Sequence, residues 1–157
     1  MLGRMYDTQV CSIARSLEQV GERWSLLIVR DALFAGVTRF GDFQHNLGIA
    51  TNVLSSRLES FVAAGVMKRR GSADYVLTEK GRALAVALIA LTEWGDEWAS
   101  PVEPPILYRH TACDGAVHAV AACESCGPVP PDEVAVRLGP GMPADYVASR
   151  RRGAAVA

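Results

Sequence analysis

Between Ala50 and Ala64 the spacing of residue types is one that only a one-sided helix satisfies. At about 100° per residue, Leu54, Leu58, Phe61 and Val62 fall on one side, while Asn52, Ser55 and Ser56 project from the other, near its start. Such a segment must press its apolar side onto a core and leave a small polar side outside. Its flanks restrict the fold further. Leu47-Gly48-Ile49 leaves room only for a tight turn, and before it Arg39 to Asn46 reads as a short helix with Phe40, Phe43 and Leu47 as its buried stripe and Thr38 as its N-cap. Gly65 then closes the polar-faced helix.

The remaining elements assemble around this pair. Val10, Ile13, Ala14, Leu17 and Val20 recur at helical spacing up to Gly21. A second helix starts near Glu22, with Trp24, Leu27, Ile28 and Ala32 on one face, and Gly36 closes the segment. Val66 to Arg70 and Tyr75 to Leu77 read as two strands joined by Gly71, Ser72, Ala73 and Asp74. Thr78 with Glu79 opens a long fifth helix to about Trp98, carrying Leu84, Leu88, Leu91 and Trp98 on one stripe and Val86 and Ile89 on the other side. One small core cannot cover both faces, so this helix and the first are expected to pack against a second subunit, the alternative being that the C-terminal residues cover it. The expected fold is mainly α with a small β-hairpin wing, a winged helix-turn-helix over residues 1–100, followed by a small Cys-rich β module.

Charge supports a surface that meets phosphates. The net charge is only -1, but residues 36–82 hold Arg39, Arg57, Lys68, Arg69, Arg70, Lys80 and Arg82 against Asp42, Glu59, Asp74 and Glu79. The middle is therefore positive and the ends acidic, either by chance clustering or because one face binds nucleic acid. On the second reading Asn52 pairs with a base, since an amide matches the acceptor and donor of adenine. Ser55 and Ser56 contact bases or phosphates, while Thr51, Arg57 and Arg39 hold phosphates and set the register. Arg69 and Arg70 point from the hairpin toward the neighbouring groove or backbone. The bland alternative is a solvated helix and a surface hairpin. The longest apolar run, Ala83 to Leu91, is far short of the roughly twenty residues of a membrane span, and Met1 to Gln9 has no apolar stretch of a secretory signal. The expected location is the cytoplasm.

The blocks Cys11-Ser-Ile-Ala-Arg-Ser-Leu17, Gly21-Glu-Arg-Trp24-Ser-Leu-Leu-Ile-Val-Arg-Asp31, Arg39-Phe-Gly-Asp-Phe43, Gly48-Ile-Ala-Thr-Asn-Val-Leu-Ser-Ser-Arg-Leu58, Gly65-Val-Met, Tyr75-Val-Leu-Thr-Glu-Lys-Gly81 and Trp94-Gly95 stand in one order. Together they resemble the HxlR-type winged helix-turn-helix regulators of bacteria over roughly residues 9 to 100. The resemblance implies a homodimeric repressor or activator, with the helix at about 50–64 as its recognition helix and the terminal helices of the domain as its dimer interface. The expected partners are palindromic double-stranded operator DNA and a small-molecule effector. Where many relatives carry Ser-Pro this chain has Ala50-Thr51, which gives Thr51 a share in capping. In several branches a Cys at the place of Cys11 senses oxidants or electrophiles. Arg15, one turn on, would favour a thiolate there, whereas the neighbouring apolar stripe suits a small core residue.

Beyond Pro101 the composition changes. Residues 101–105 read as a linker and 106–138 as a zinc-ribbon-like module containing three of the four cysteines. His110 and Cys113 are spaced as Cys123 and Cys126 are, and each pair ends in a tight turn, Cys113-Asp-Gly115 and Cys126-Gly127, that turns backbone amides toward sulfur. Four N and S donors suit a closed, structural zinc site. A disulfide or an unmetallated thiol cluster is the alternative. His118 is the alternative ligand to His110, but in a presumed strand from Val117 to Ala122 it reads as a surface residue. Residues 139–157, with Arg150, Arg151 and Arg152, read as a flexible basic end, either solvated or touching phosphates. No phosphate-binding Gly-rich loop, dinucleotide fingerprint or nucleophile turn occurs, so an enzyme is not expected. The second function class is a protein-binding adaptor with a zinc-knuckle tail.

Overall fold

Apolar spacing sets the helix order of the computed structural model closely as far as residue 82. The structure describes residues 6, 8–99 and 103–149; the start of the expected linker and Arg150 to Arg152 lie outside them. The elements are α1 (Ser12–Val20), α2 (Ser25–Phe34), α3 (Phe40–Leu47), α4 (Thr51–Ala63), β1 (Met67–Arg70), β2 (Asp74–Leu77), α5 (Glu79–Arg82), α6 (Ala85–Trp98), β3 (Ala122–Cys123), β4 (Gly127–Pro128), a 3-10 turn at Pro131–Glu133 and α7 (Ala144–Ser149). The fold is mainly helical with two small antiparallel hairpins. It divides into two compact units, Gln19–Val120 and the paired segments Met1–Glu18 with Ala121–Ala157, so the stretch 106–138 contributes to both.

In the larger unit one core gathers Ile28, Val29, Phe43, Ile49, Leu54, Leu58, Phe61, Val66, Met67, Tyr75, Leu77 and Leu88. Helix α2 runs through its middle, against α3, α6 and β2. That is why its buried line is Ser25, Ile28, Val29 and Asp31 rather than the single face through Leu27 that the spacing suggests: burial from several directions overrides a one-sided pattern. Strands β1 and β2 pair antiparallel, Met67 opposite Leu77 and Arg70 opposite Asp74. A bridge between Arg39 and Asp74 adds a third short edge to this wing.

Two local expectations are corrected. Thr38 does not cap α3. The residue at the cap is Arg39, without a side-chain bond, because the Thr38 hydroxyl is held by Asp74 Oδ1 at 3.0 Å and its carbonyl accepts the Tyr75 N–H. The long fifth helix is broken into α5 and α6 by a turn at Ala83 and Leu84, where Leu84 N–H reaches back only three residues to Gly81. The break follows from docking. Thr78 caps α5 by accepting the Gly81 N–H and gives its own hydroxyl to Gly65 O at 2.6 Å. A Cβ built on Gly81 would stand 2.3 Å from Val66 O, so this first turn is pressed onto the start of β1 and α6 must leave at its own angle.

Residues 103–120 lie along α6 within the same unit. Tyr108 packs against Phe34 with ring centroids 4.9 Å apart and planes tilted by 56°, and its hydroxyl meets Thr92 Oγ1 at 3.0 Å. Glu93 accepts from His118 Nδ1 at 2.6 Å and from the Ala119 N–H at 3.1 Å. His118 is thus an exposed residue engaged with α6, and of the presumed strand only Ala122 is in one, the strand Ala122–Cys123. In the smaller unit, Ile13 and Leu17 of α1 are exposed. Helix α7 occupies part of the stretch read as a flexible end, and Tyr146 donates to Gln9 at 3.4 Å. No helix among the described residues is long and apolar enough to cross a membrane.

Candidate nucleic-acid interface

Helix α3, a turn through Gly48 in the left-handed region (φ 60°), and helix α4 form the expected helix-turn-helix. Ile49 is buried under the turn, and Gln44 donates to Thr51 Oγ1 at 2.8 Å, fastening α3 to the first turn of α4. The N-cap of α4 is Ala50, with no side-chain cap. Thr51 therefore takes no part in capping; its oxygen is engaged by Gln44.

Leu54, Leu58 and Phe61 are sealed into the core, whereas Thr51, Asn52 and Ser56 are exposed and Ser55 is half-exposed. The polar stripe continues to Glu59, which accepts the Ser55 hydroxyl at 3.4 Å. Arg57 is mostly covered. Its side chain is only 13% exposed and sits 3.9 Å from Glu22 Oε1, at a hollow of about 290 Å³ lined also by Arg23, Trp24, Asn52 and Ser56. Arg23 lies over the Trp24 ring, 5.7 Å from its centroid, and brings a second guanidinium close to Asn52.

On the wing, Asp74 organises the basic residues. Arg39 and Arg70 reach it at 4.0 and 3.8 Å while keeping 72% and 65% of their side chains exposed. Arg69 lies over the Tyr75 ring at 5.0 Å. The structure thus gathers Thr51, Asn52, Ser55 and Ser56 on one helix end and Arg39, Arg69 and Arg70 on the wing, with Arg57 largely covered beside Glu22 at the hollow that Asn52 and Ser56 also line. Arg23, Gln44 and Asp74 were not anticipated. The first two carried no signal beyond their types, and Asp74 was hidden among ordinary turn residues.

The Cys and His pairs each close a turn of their own. His110 and Cys113 close a turn bridged by Arg109 and Ala116, with His110 Nδ1 3.1 Å from Cys113 Sγ and Asp114 at positive φ. Cys123 and Cys126 close the β3–β4 turn. There the backbone N–H groups of Ser125 and Cys126 hold the Cys123 thiol below the usual thiol range. Among the described residues no three His, Cys, Asp or Glu side chains are grouped to hold a metal ion. Cys11 is exposed just ahead of α1, its carbonyl accepting the Arg15 N–H.

Residues 19–103 match the model of the HxlR-like helix-turn-helix family. The chain is 42% identical over 146 residues to the HTH-type transcriptional regulator Rv3095 of Mycobacterium tuberculosis, itself uncharacterised, spanning 88% of this chain and 92% of that one. Among solved structures, PA1607, a candidate transcription factor, is 38% identical with a TM-score of 0.71, covering 82% of this chain and 94% of its own. The redox regulator HypR in its oxidised form is 26% identical with a TM-score of 0.50, covering 55% and 96%. With the turn, the open polar helix end and the wing in place, this chain belongs to the HxlR-like helix-turn-helix family and is a DNA-binding transcriptional regulator.

Proposed function

We propose that the protein works as a homodimer that lays the exposed side of α4 from each copy into successive major grooves, about 34 Å apart, of a palindromic operator. The observation that carries this reading is α4 itself, whose apolar side is sealed while its N-terminal amide and hydroxyls stand open. Asn52 reads a base, Ser55 and Ser56 contact bases or phosphates, and Thr51, steadied by Gln44, meets the backbone. Arg39, Arg69 and Arg70 supply phosphate contacts from the wing. Arg57, covered and paired with Glu22, positions α4 more than it touches DNA. The exposed apolar side chains Val86, Leu91, Trp94 and Trp98 of α6, and Ile13 and Leu17 of α1, support a second copy as partner.

The test is binding to an operator selected from a randomised duplex pool, measured by anisotropy across salt concentrations. Asn52→Ala should relax preference at one base position, losing about 1–3 kcal/mol of discrimination. Arg39→Ala should weaken all sequences alike and reduce the salt slope by about one. Arg57→Ala should lower affinity with the salt slope unchanged. Identical effects of the Asn52 and Arg39 changes would remove the division of roles, and binding indifferent to salt would remove the DNA reading.

Two finer proposals concern the sulfurs. His110, Cys113, Cys123 and Cys126 are proposed to take up structural zinc, supported by the turn of each pair and by the amides directed at Cys123. Protein purified without chelator should carry about one zinc per chain by elemental analysis, and a metal-free protein of the same thermal stability would refute this. Cys11 is proposed as an oxidant-responsive thiol, supported by its exposure ahead of a helix N-terminus and by the likeness to HypR.

A further inference from the structure

The segment 104–118 does more than cover one side of α6. It is fastened there at two places, by Tyr108 to Thr92 and Phe34, and by His118 with Ala119 to Glu93. Along this strap and α6 runs a cavity of about 410 Å³, a size that small-molecule sites commonly have. Pro104, Ile106, Leu107, Tyr108 and Val117 give it an apolar wall, and Ile106 and Leu107 remain 45% and 65% exposed. The helix supplies Glu93, Asp96 and Glu97.

The charges in this cavity are unequal in their freedom. His118 is bonded to Glu93, and Arg109, which donates to the backbone Asp114 O at 3.2 Å, keeps its charge, so the lining sets three carboxylates against one guanidinium and remains negative. The side-chain carboxylates of Asp96 and Glu97 have no hydrogen bond or ion pair among the described residues. A lining with more carboxylates than cations among the described residues, set beside an apolar wall, attracts a cation more strongly than in open water because the wall lowers the local dielectric, and repels an anion. We propose that this cavity is a receptor site for a small organic cation with an apolar, ring-sized body, its ammonium group at Asp96 and Glu97 and its body against Ile106, Leu107 and Val117.

The position on α6 gives such a site a purpose. At about 100° per residue, Asp96 lies roughly opposite the stripe of Leu91, Trp94 and Trp98. A second copy seated on the tryptophans leaves the cavity open, and a ligand that shifts α6 moves the pair and with it the separation of the two α4 helices. That regulatory clause rests on the proposed dimeric regulator; ligand binding does not.

Calorimetry of the full chain without DNA separates the two. The probes are naphthylmethylammonium, its neutral alcohol counterpart naphthylmethanol and the anion naphthoate. The cation should bind about tenfold or more tightly than either of the others, and Asp96→Asn with Glu97→Gln should abolish that preference while leaving the unfolding midpoint in place. Equal affinity for the three probes, no binding, or a cation preference untouched by the double variant would overturn the site. Binding lost in step with dimer formation as the chain is concentrated would assign the cavity to the second copy and overturn it equally. Operator binding measured on the same double variant stays at the wild-type level if only the receptor site has been removed, so failure of the site and failure of the DNA reading are distinguishable.

Discussion

At the scale of single residues, types said less than partners. Asn52 and Arg57 both looked like contacts to nucleic acid, yet one stands in the open and the other is drawn against Glu22. A guanidinium on a long stem goes to whatever carboxylate the fold presents, and that carboxylate lies 35 positions away in sequence. Glu93 shows the same dependence in its titration. The His118 bond, and after it the Ala119 N–H, hold its carboxyl below the ordinary carboxylate range. A folded carboxyl with a lowered pKa binds fewer protons than the unfolded chain, so its stabilisation is present above the unfolded pKa and is lost as pH falls through the folded one. Glu93→Gln should therefore flatten the acid limb of the thermal midpoint and speed proteolysis within 103–120 at neutral pH. An acid limb unchanged in the variant would show that this clasp contributes nothing.

At the scale of elements, the sharpest result is the break between α5 and α6. Helix propensity says that alanine at Gly81 is worth up to about 1 kcal/mol of stabilisation. The structure says the opposite, because the added methyl carbon would meet Val66 O at 2.3 Å and Leu77 Cδ2 at 2.7 Å. Gly81→Ala is expected to destabilise by roughly 1–3 kcal/mol in urea unfolding; a more stable variant would show that the turn has room to move. Lys80 and Arg82 support the same junction, donating to Ala64 O and Leu77 O at 2.8 and 2.9 Å. These two belong to the positive middle of the chain, and their side chains are tied to backbone carbonyls at the end of α4 and of β2.

At the scale of the whole molecule, α6 presents more apolar surface than its own unit covers. Leu91, Trp94 and Trp98 are 49%, 58% and 69% exposed, and the strap of residues 103–120 takes the other side. Both ideas raised by the sequence thus have a place: the C-terminal residues cover one face, and a second copy is proposed for the other. Trp94→Glu should shift the chain to monomer in sedimentation and lower operator affinity about tenfold or more without lowering helicity, since one α4 alone holds only half a site. If it remains dimeric, the partner sits elsewhere. Mild oxidation should alter operator binding of the wild type and leave Cys11→Ser unchanged; equal responses would place the sensing sulfur in the tail.

The turn, α4 with its open amide, and the hairpin were readable from residue order because each depends on periods of three to four or two and on glycine at a left-handed position, which are local properties. Family membership was readable for the same reason, as blocks in order. The capping of α3, the partner of Arg57, the break at residue 83 and the cavity along α6 were not, since each is settled by a group distant in sequence: Asp74, Glu22, Val66 O, or the strap from 104 to 118. Periodicity tells a side chain which way to face, and only the packed chain decides what it meets there.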